Sequence, residues 1–191
     1  MPLTGLDQRT ALVLIDLQHG IAGLLGQQAL ARPLARAAEL AAAFRTQNQP
    51  VLLVRVKFSP DRADAPRNRT DVKRPSATPP ENWTQLLPEL DQQPGDLVVT
   101  KRQPGAFHGT DLDLHLRRRG ITGIVLGGVA TSLGVESTGR AAYDHGYHVS
   151  FASDAMADFN SHAHDHSLNV TFPMFGEVDT TEAITAALTN V

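Results

Sequence analysis

The chain has 191 residues, 41% of them hydrophobic and 19% charged, with a formal net charge of −3. That length and balance fit one domain, residues 1–191, with a sizeable core, and they exclude the low-hydrophobicity, high-charge composition of disordered chains. The mild negative charge leaves no footprint for nucleic acid, no apolar run nears the ~20 residues of a membrane span, and the lack of any cysteine removes disulfides, thiolate metal sites and thiol nucleophiles together.

The amino-terminal stretch MPLTGLDQRT has no basic segment ahead of an apolar one, so a cytoplasmic protein is expected. Apolar runs read as strands at 11–15 (ALVLI), 51–56 (VLLVRV), 97–100 (LVVT), 123–129 (GIVLGGV) and 149–153 (VSFAS). They alternate with helical patterns, which predicts a parallel sheet, and their near-continuous hydrophobicity predicts burial on both faces with helices on either side.

The first helix is expected from about Pro33, with Leu34, Ala37, Ala38, Ala41 and Phe44 as its apolar stripe, and Asn48 and Pro50 stop it. A second runs from Asp111 to Arg119, capped by Thr110 and closed by Gly120, with Leu112, Leu114 and Leu116 as apolar surface. Its basic end, Arg117-Arg118-Arg119, complements the helix dipole. A third spans about Ser132 to His145 and closes at Gly146; two more cover Ser161 to about Phe172 and Thr180 to Leu188, where Asp179 and Glu182 resemble a capping box. The segment 58–80 has no periodicity and reads as a long loop, a lid or a contact surface.

Ligands of open parallel sheets bind beyond the carboxyl ends of the strands. The polar residues expected there are Asp16, Lys101, the Ala130-Thr131-Ser132 turn and Asp154. A carboxylate and an ammonium emerging from neighbouring buried strands set each other's protonation, so Asp16 and Lys101 form either an acid–base pair or a structural ion pair. Gly134 stands close behind the fourth strand, inside a helix start, where glycine costs roughly 1 kcal/mol relative to alanine; the position therefore calls for space or close approach. Thr131 and Ser132 read as caps or as alternative nucleophiles. His162 and His166 share a helix face, a metal-ligand spacing with no third ligand nearby in sequence, so no metal is assigned.

Four stretches, ALVLIDLQ, VVTKRQPGAFHGTDLDLHLRRRGI, IVLGGVATSLGVESTGRAAYDHGY and SDAMAD, together resemble the isochorismatase-like hydrolase family over about residues 8 to 188. The resemblance implies a three-layer αβα sandwich with a mostly parallel six-stranded sheet, no cofactor, a small-molecule substrate and a homo-oligomer, dimer or larger. The family's cysteine hydrolases use an Asp–Lys–Cys triad, which falls on Asp16, Lys101 and Gly134. The third member is therefore missing. Isochorismatases proper also carry glycine there and hydrolyse a vinyl ether with the acid and the lysine, so Gly134 is expected to make room for substrate or water. They have Tyr-Ala-His where this chain has Val129-Ala130-Thr131, and the GVEST run looks more like a bacterial branch of the family that shares the glycine.

The same resemblance implies a non-proline cis peptide at Val129–Ala130, a packing or assembly role for His164, and Phe107 as a pocket wall, with core packing as the alternative. Trp83 is expected either to cover the pocket mouth or to pack on the surface. Arg55 and Arg102 are expected anchors for a substrate carboxylate, since guanidinium pairs with it bidentately, or else members of structural ion pairs; Thr131 joins them as a substrate contact. The expected activity is hydrolysis of a small molecule by Asp/Lys acid–base chemistry at a vinyl ether or a related C–O or C–N bond. A catalytically silent binding or assembly protein is the alternative.

Overall fold

The computed structural model describes residues 3–72 and 79–189; residues 73–78 of the expected 58–80 loop lie outside the described residues. Six strands build one sheet: β1 (Thr10–Ile15), β2 (Val51–Val56), β3 (Leu97–Lys101), β4 (Gly123–Val129), β5 (His148–Ala157) and β6 (Glu177–Asp179). Their order is β3-β2-β1-β4-β5-β6, and all five pairings are parallel.

Alternation along β1 explains the layers. Leu12 and Leu14 join a core with Leu34, Leu40 and Phe44 of α2 (Gln27–Thr46) and Ile184 of α6 (Thr181–Leu188), whereas Ala11, Val13 and Ile15 join a second core with Leu112 and Leu116 of α3 (Leu112–Arg118) and Ala142 of α4 (Glu136–Asp144). Successive side chains of a strand point to opposite faces, so an all-apolar strand needs helices on both. The fold is the expected αβα sandwich.

Several boundaries differ from the sequence reading. The helix α2 starts at Gln27 and carries Pro33 inside it. The residues before the proline are good helix formers, and Leu30 adds a buried turn to the stripe, which outweighs one lost backbone bond. Short α1 (His19–Leu25) was not expected; it buries none of its residues and so leaves little apolar periodicity to read. In α3, Leu114 is 47% exposed, because Leu112 and Leu116 lie four apart on the inner face and Leu114 points between turns. Thr110 does accept from the Leu112 amide, at 3.2 Å. The third expected helix opens as a π-helical turn, Thr131–Val135, before α4; the fourth is α5 (Ser161–His166) followed by a second π-turn, Ser167–Thr171. Helix α6 is capped by Thr180, which accepts from Ala183 N–H, while Asp179 instead accepts from Leu3 N–H at 2.8 Å.

The strand β5 continues past Asp154 with a bulge between its pairings at Phe151 and Met156. Within that bulge Asp154 accepts from the Thr181 amide and hydroxyl, at 2.7 and 2.8 Å, and lies 3.4 Å from Arg36. Asp154 is thus a cap for α6 and not a strand-end group at the pocket.

Candidate active site

The strand order reverses between β1 and β4, so the crevice at their carboxyl ends is the topological switch point where such sheets bind ligands. Asp16 leaves β1 there with φ +52°, a left-handed conformation that aspartate tolerates better than branched residues do. On the other side, β4 ends in the cis peptide Val129–Ala130 and passes into the π-turn that holds Gly134. Gly128 reaches that point at φ +117°, where a Cβ would lie 2.1 Å from Ile15 O; nothing but glycine lets the two strands approach so closely.

Asp16 and Lys101 meet across this crevice. Lys101 Nζ lies 2.7 Å from Asp16 Oδ2 and also donates to the carbonyls of Gln103 (3.1 Å) and Pro104 (2.9 Å). Both residues are buried, at 6% and 2% exposure. Burial pushes the Asp16 carboxyl up to about 6, with the Lys101 charge pulling the other way. Asp16 Oδ1 is buried and makes no hydrogen bond to the described residues. The pair therefore has all three ammonium protons engaged and one carboxylate oxygen free.

A cavity of about 280 Å³ opens above the pair, lined by Asp16, Lys101 and Gly134 together with Ile21, Phe58, Arg62, Trp83, Arg102, Leu133 and Phe159. Trp83 forms a wall of this cavity, stacked on Phe58 at 5.9 Å. It rests against α1 because Gly20 has no Cβ; one there would fall 2.9 Å from the tryptophan. A larger cavity, about 900 Å³, lies at the amino-terminal edge of the sheet, between Thr4 and Glu177, away from the ion pair.

Three expected site residues stand elsewhere. Phe107 is in the core, stacked on His145 at 5.0 Å and beside Tyr147, because the turn after Lys101 carries it under α3. Arg55 donates to Thr100 Oγ1 across β2 and β3, outside the cavity lining. Thr131 is fully buried, its hydroxyl donating to Ala157 O at 3.1 Å and lying 2.8 Å from His164 Nδ1. Its neighbour Ser132 gives both N–H and O–H to Asp158 Oδ2, at 2.7 and 2.8 Å, so the carboxylate, not the serine, caps this turn. Arg102 does line the cavity, but Asp64 holds its Nε at 3.0 Å. Among the described residues no three His, Cys, Asp or Glu side chains gather into a metal-binding group.

Gly134 stands at the edge of the cavity in close packing. A Cβ built there would lie 2.9 Å from Ile15 Cγ2, 3.2 Å from Val129 O and 3.6 Å from Asp16 Oδ2. Gly134 lines the cavity, and a side chain at this position would require the Ile15 methyl to give way.

Gln18 escaped the sequence reading. Fully buried two residues after Asp16, it donates to Val56 O (3.1 Å) and Trp83 O (2.8 Å) and accepts from Val56 N–H (2.8 Å). It ties the Asp16 turn to the end of β2 and to the tryptophan wall. A polar residue just after a buried strand was the signal available.

A doubly wound parallel sheet with a buried carboxylate–ammonium pair under a cavity at its switch point is the architecture of a small-molecule enzyme. The chain belongs to the isochorismatase family of hydrolases: the isochorismatase domain matches residues 10–183. It is 45% identical over 180 residues to the isochorismatase family protein YecD of Escherichia coli, covering 94% of this chain and 96% of the relative. It is 31% identical over 181 residues to the ureidoacrylate amidohydrolase RutB of Pseudomonas syringae, covering 82% and 72%. Among solved structures, an isochorismatase family protein from Burkholderia thailandensis superposes with a TM-score of 0.92 at 46% identity over 97% of this chain and 98% of the other. The N-carbamoylsarcosine amidase of Thermoplasma acidophilum superposes at 0.74 with 25% identity, over 92% and 98%.

Proposed function

We propose that this chain, acting as one domain, hydrolyses a C–O or C–N bond of a small molecule by acid–base chemistry at Asp16, without a covalent enzyme intermediate. The observation that carries the reading is the buried Asp16–Lys101 pair with Asp16 Oδ1 free beneath the cavity, in a chain that has no cysteine. A carboxyl raised to about 6 keeps both protonation states accessible between mildly acidic and neutral pH, where a general acid or base works best.

For a vinyl ether, protonated Asp16 delivers its proton to the terminal carbon and the resulting oxocarbenium takes up water, whose proton returns to Asp16. The hemiketal so formed then collapses to the carbonyl, its hydroxyl proton going to the departing oxygen as the C–O bond breaks and the alcohol leaves. For an amide or ureido bond, Asp16 takes the proton of the attacking water and passes it to the leaving nitrogen. Lys101 positions the carboxylate and offsets its charge. The ureidoacrylate and N-carbamoylsarcosine hydrolases among the relatives favour including C–N substrates. Neither hydroxyl near the helix start supports a nucleophile, since Thr131 and Ser132 are both engaged in hydrogen bonds.

The test is a turnover panel of vinyl ethers, amides and ureido acids run on the native protein, on Asp16→Asn and after iodoacetamide. Turnover indifferent to iodoacetamide, free of a burst and reduced by a factor on the order of 10² to 10⁴ in Asp16→Asn supports the reading; a variant at native rates ends it. The tight fill of Gly134 by Ile15 favours a second reading, a silent binding protein, which no turnover on any member of the panel would support. Assembly into a homo-oligomer is also proposed, with half-exposed Tyr143 and Val170 supporting it; light scattering tests it.

A further inference from the structure

We infer that the cavity above Asp16 takes a flat, apolar small molecule bearing one carboxylate, and that Arg62 is the anchor of that carboxylate. The inference rests on the hydrolase reading for the place of the ligand, but it concerns binding alone.

The walls set the flat, apolar body. Phe58 and Trp83 stack on one another at 5.9 Å and 25°, while Phe159 and Leu133 line the same cavity at 50% and 53% exposure. Large apolar side chains left half-exposed beside a concave site are the surface that an apolar ligand removes from water.

The charges set the anion and its place. Asp16 and Lys101 neutralise one another at the floor, and Arg102 is held by Asp64. Arg62 also lines the cavity, with its guanidinium 5.3 Å from the Phe58 ring centroid, and among the described residues no carboxylate lies within ion-pair distance of it. Its acidic neighbours in sequence are turned into the loop: Asp61 accepts from the Ser59 hydroxyl and the Ala63 amide, and Asp64 from Ser59 and Arg102. A guanidinium laid on an aromatic ring keeps its planar edge of donors for a carboxylate. The neutralised floor offers an anion no unpaired cation, so the carboxylate sits at the rim with Arg62 and the opposite end of the molecule faces Asp16.

The chain's one tryptophan, Trp83, lies in this wall, so its emission reads ligand binding without any turnover. Benzoate, benzamide and acetate are titrated against the native protein, Arg62→Gln, Arg62→Lys and Arg102→Gln, with circular dichroism checking the fold of each. Benzoate is expected to change the emission saturably and to bind at least ten-fold tighter than benzamide, with acetate silent over the same range. Arg62→Gln is expected to erase that preference, while Arg62→Lys keeps part of it and Arg102→Gln keeps it whole. No saturable benzoate response, equal binding of benzoate and benzamide, or a preference that survives Arg62→Gln overturns the inference. Repeating the titration on Asp16→Asn separates the two readings: retained preference with lost turnover supports both, and retained preference with native turnover leaves the anchor standing while the acid–base reading falls.

Discussion

Lys101 Nζ stands 2.7 Å from Asp16 Oδ2 while its remaining protons go to the Gln103 and Pro104 carbonyls. The lysine is thus spent on position and charge, and the reactive oxygen left over is Asp16 Oδ1. Two different phenotypes follow for the two residues. Asp16→Asn removes the proton carrier and is expected to lower kcat by a factor on the order of 10² to 10⁴.

Lys101→Met leaves the carrier and removes the one charge that restrains its pKa. With Asp16 at about 6 in the native protein and no opposing charge beside it in the variant, the carboxyl rises further. The limb of the pH–rate profile that reports Asp16 is expected to start near 6 and to move to higher pH in Lys101→Met. A limb that stays in place, with only the maximum lowered, would assign the titration to another group.

The same shift predicts a signature in stability. Asp16 goes from the ordinary 3.8 to about 6 on folding, so between those values the native state binds more protons than the unfolded chain. Stability then falls as pH rises through about 4 to 6, by on the order of 2 to 3 kcal/mol from this group. Asp16→Asn cannot titrate. The difference in unfolding free energy between native protein and Asp16→Asn, measured by urea at pH 4 and pH 7, is expected to change in that direction, and equal differences at both pH values would refute it.

Much of this arrangement could be read from the chain. Continuous apolar strands such as Leu12–Ile15 dictate two helix layers, and Asp16 and Lys101 directly follow or end such strands, so the switch point collects them. What could not be read depends on packing between distant segments. In sequence Phe107 reads as pocket wall or core and Trp83 as pocket mouth or surface; the turn after Lys101 sends the first under α3 while Gly20 admits the second to the cavity. Arg55 and Arg102 read as carboxylate anchors or as structural partners until Thr100 and Asp64 are seen beside them, whereas Arg62 was hidden in an aperiodic loop.

Gln18 makes three hydrogen bonds that join the Asp16 turn, the end of β2 and the Trp83 wall. Gln18→Ala removes the side-chain partner of Val56 N–H and Val56 O, where an unmade buried bond costs about 1–3 kcal/mol, and leaves Trp83 O with the Gly20 amide alone. The expected result is a loss of stability together with a red-shifted Trp83 emission and a KM raised more than kcat is lowered, because wall and not acid is displaced. An unchanged emission spectrum would confine Gln18 to the fold.

Gly134 and Ile15 form the pair on which the missing cysteine turns. A side chain at 134 meets Ile15 Cγ2 at 2.9 Å and the Val129 carbonyl at 3.2 Å, and overpacking of this kind costs about 1–3 kcal/mol. Gly134→Cys alone is therefore expected to destabilise the protein and to gain no thiol-dependent turnover, since its sulfur starts from a displaced Cβ. Ile15→Ala alone opens a cavity and costs about 2–5 kcal/mol. Combined, the two changes relieve each other: the cysteine occupies what the isoleucine vacates, and the double variant is expected to be more stable than the sum of the single losses predicts by 0.5 kcal/mol or more, the scale of coupling between touching residues. Urea melts of the four proteins measure that coupling. Additive losses would mean that Ile15 does not occupy the place of the cysteine, and the glycine would again need another explanation.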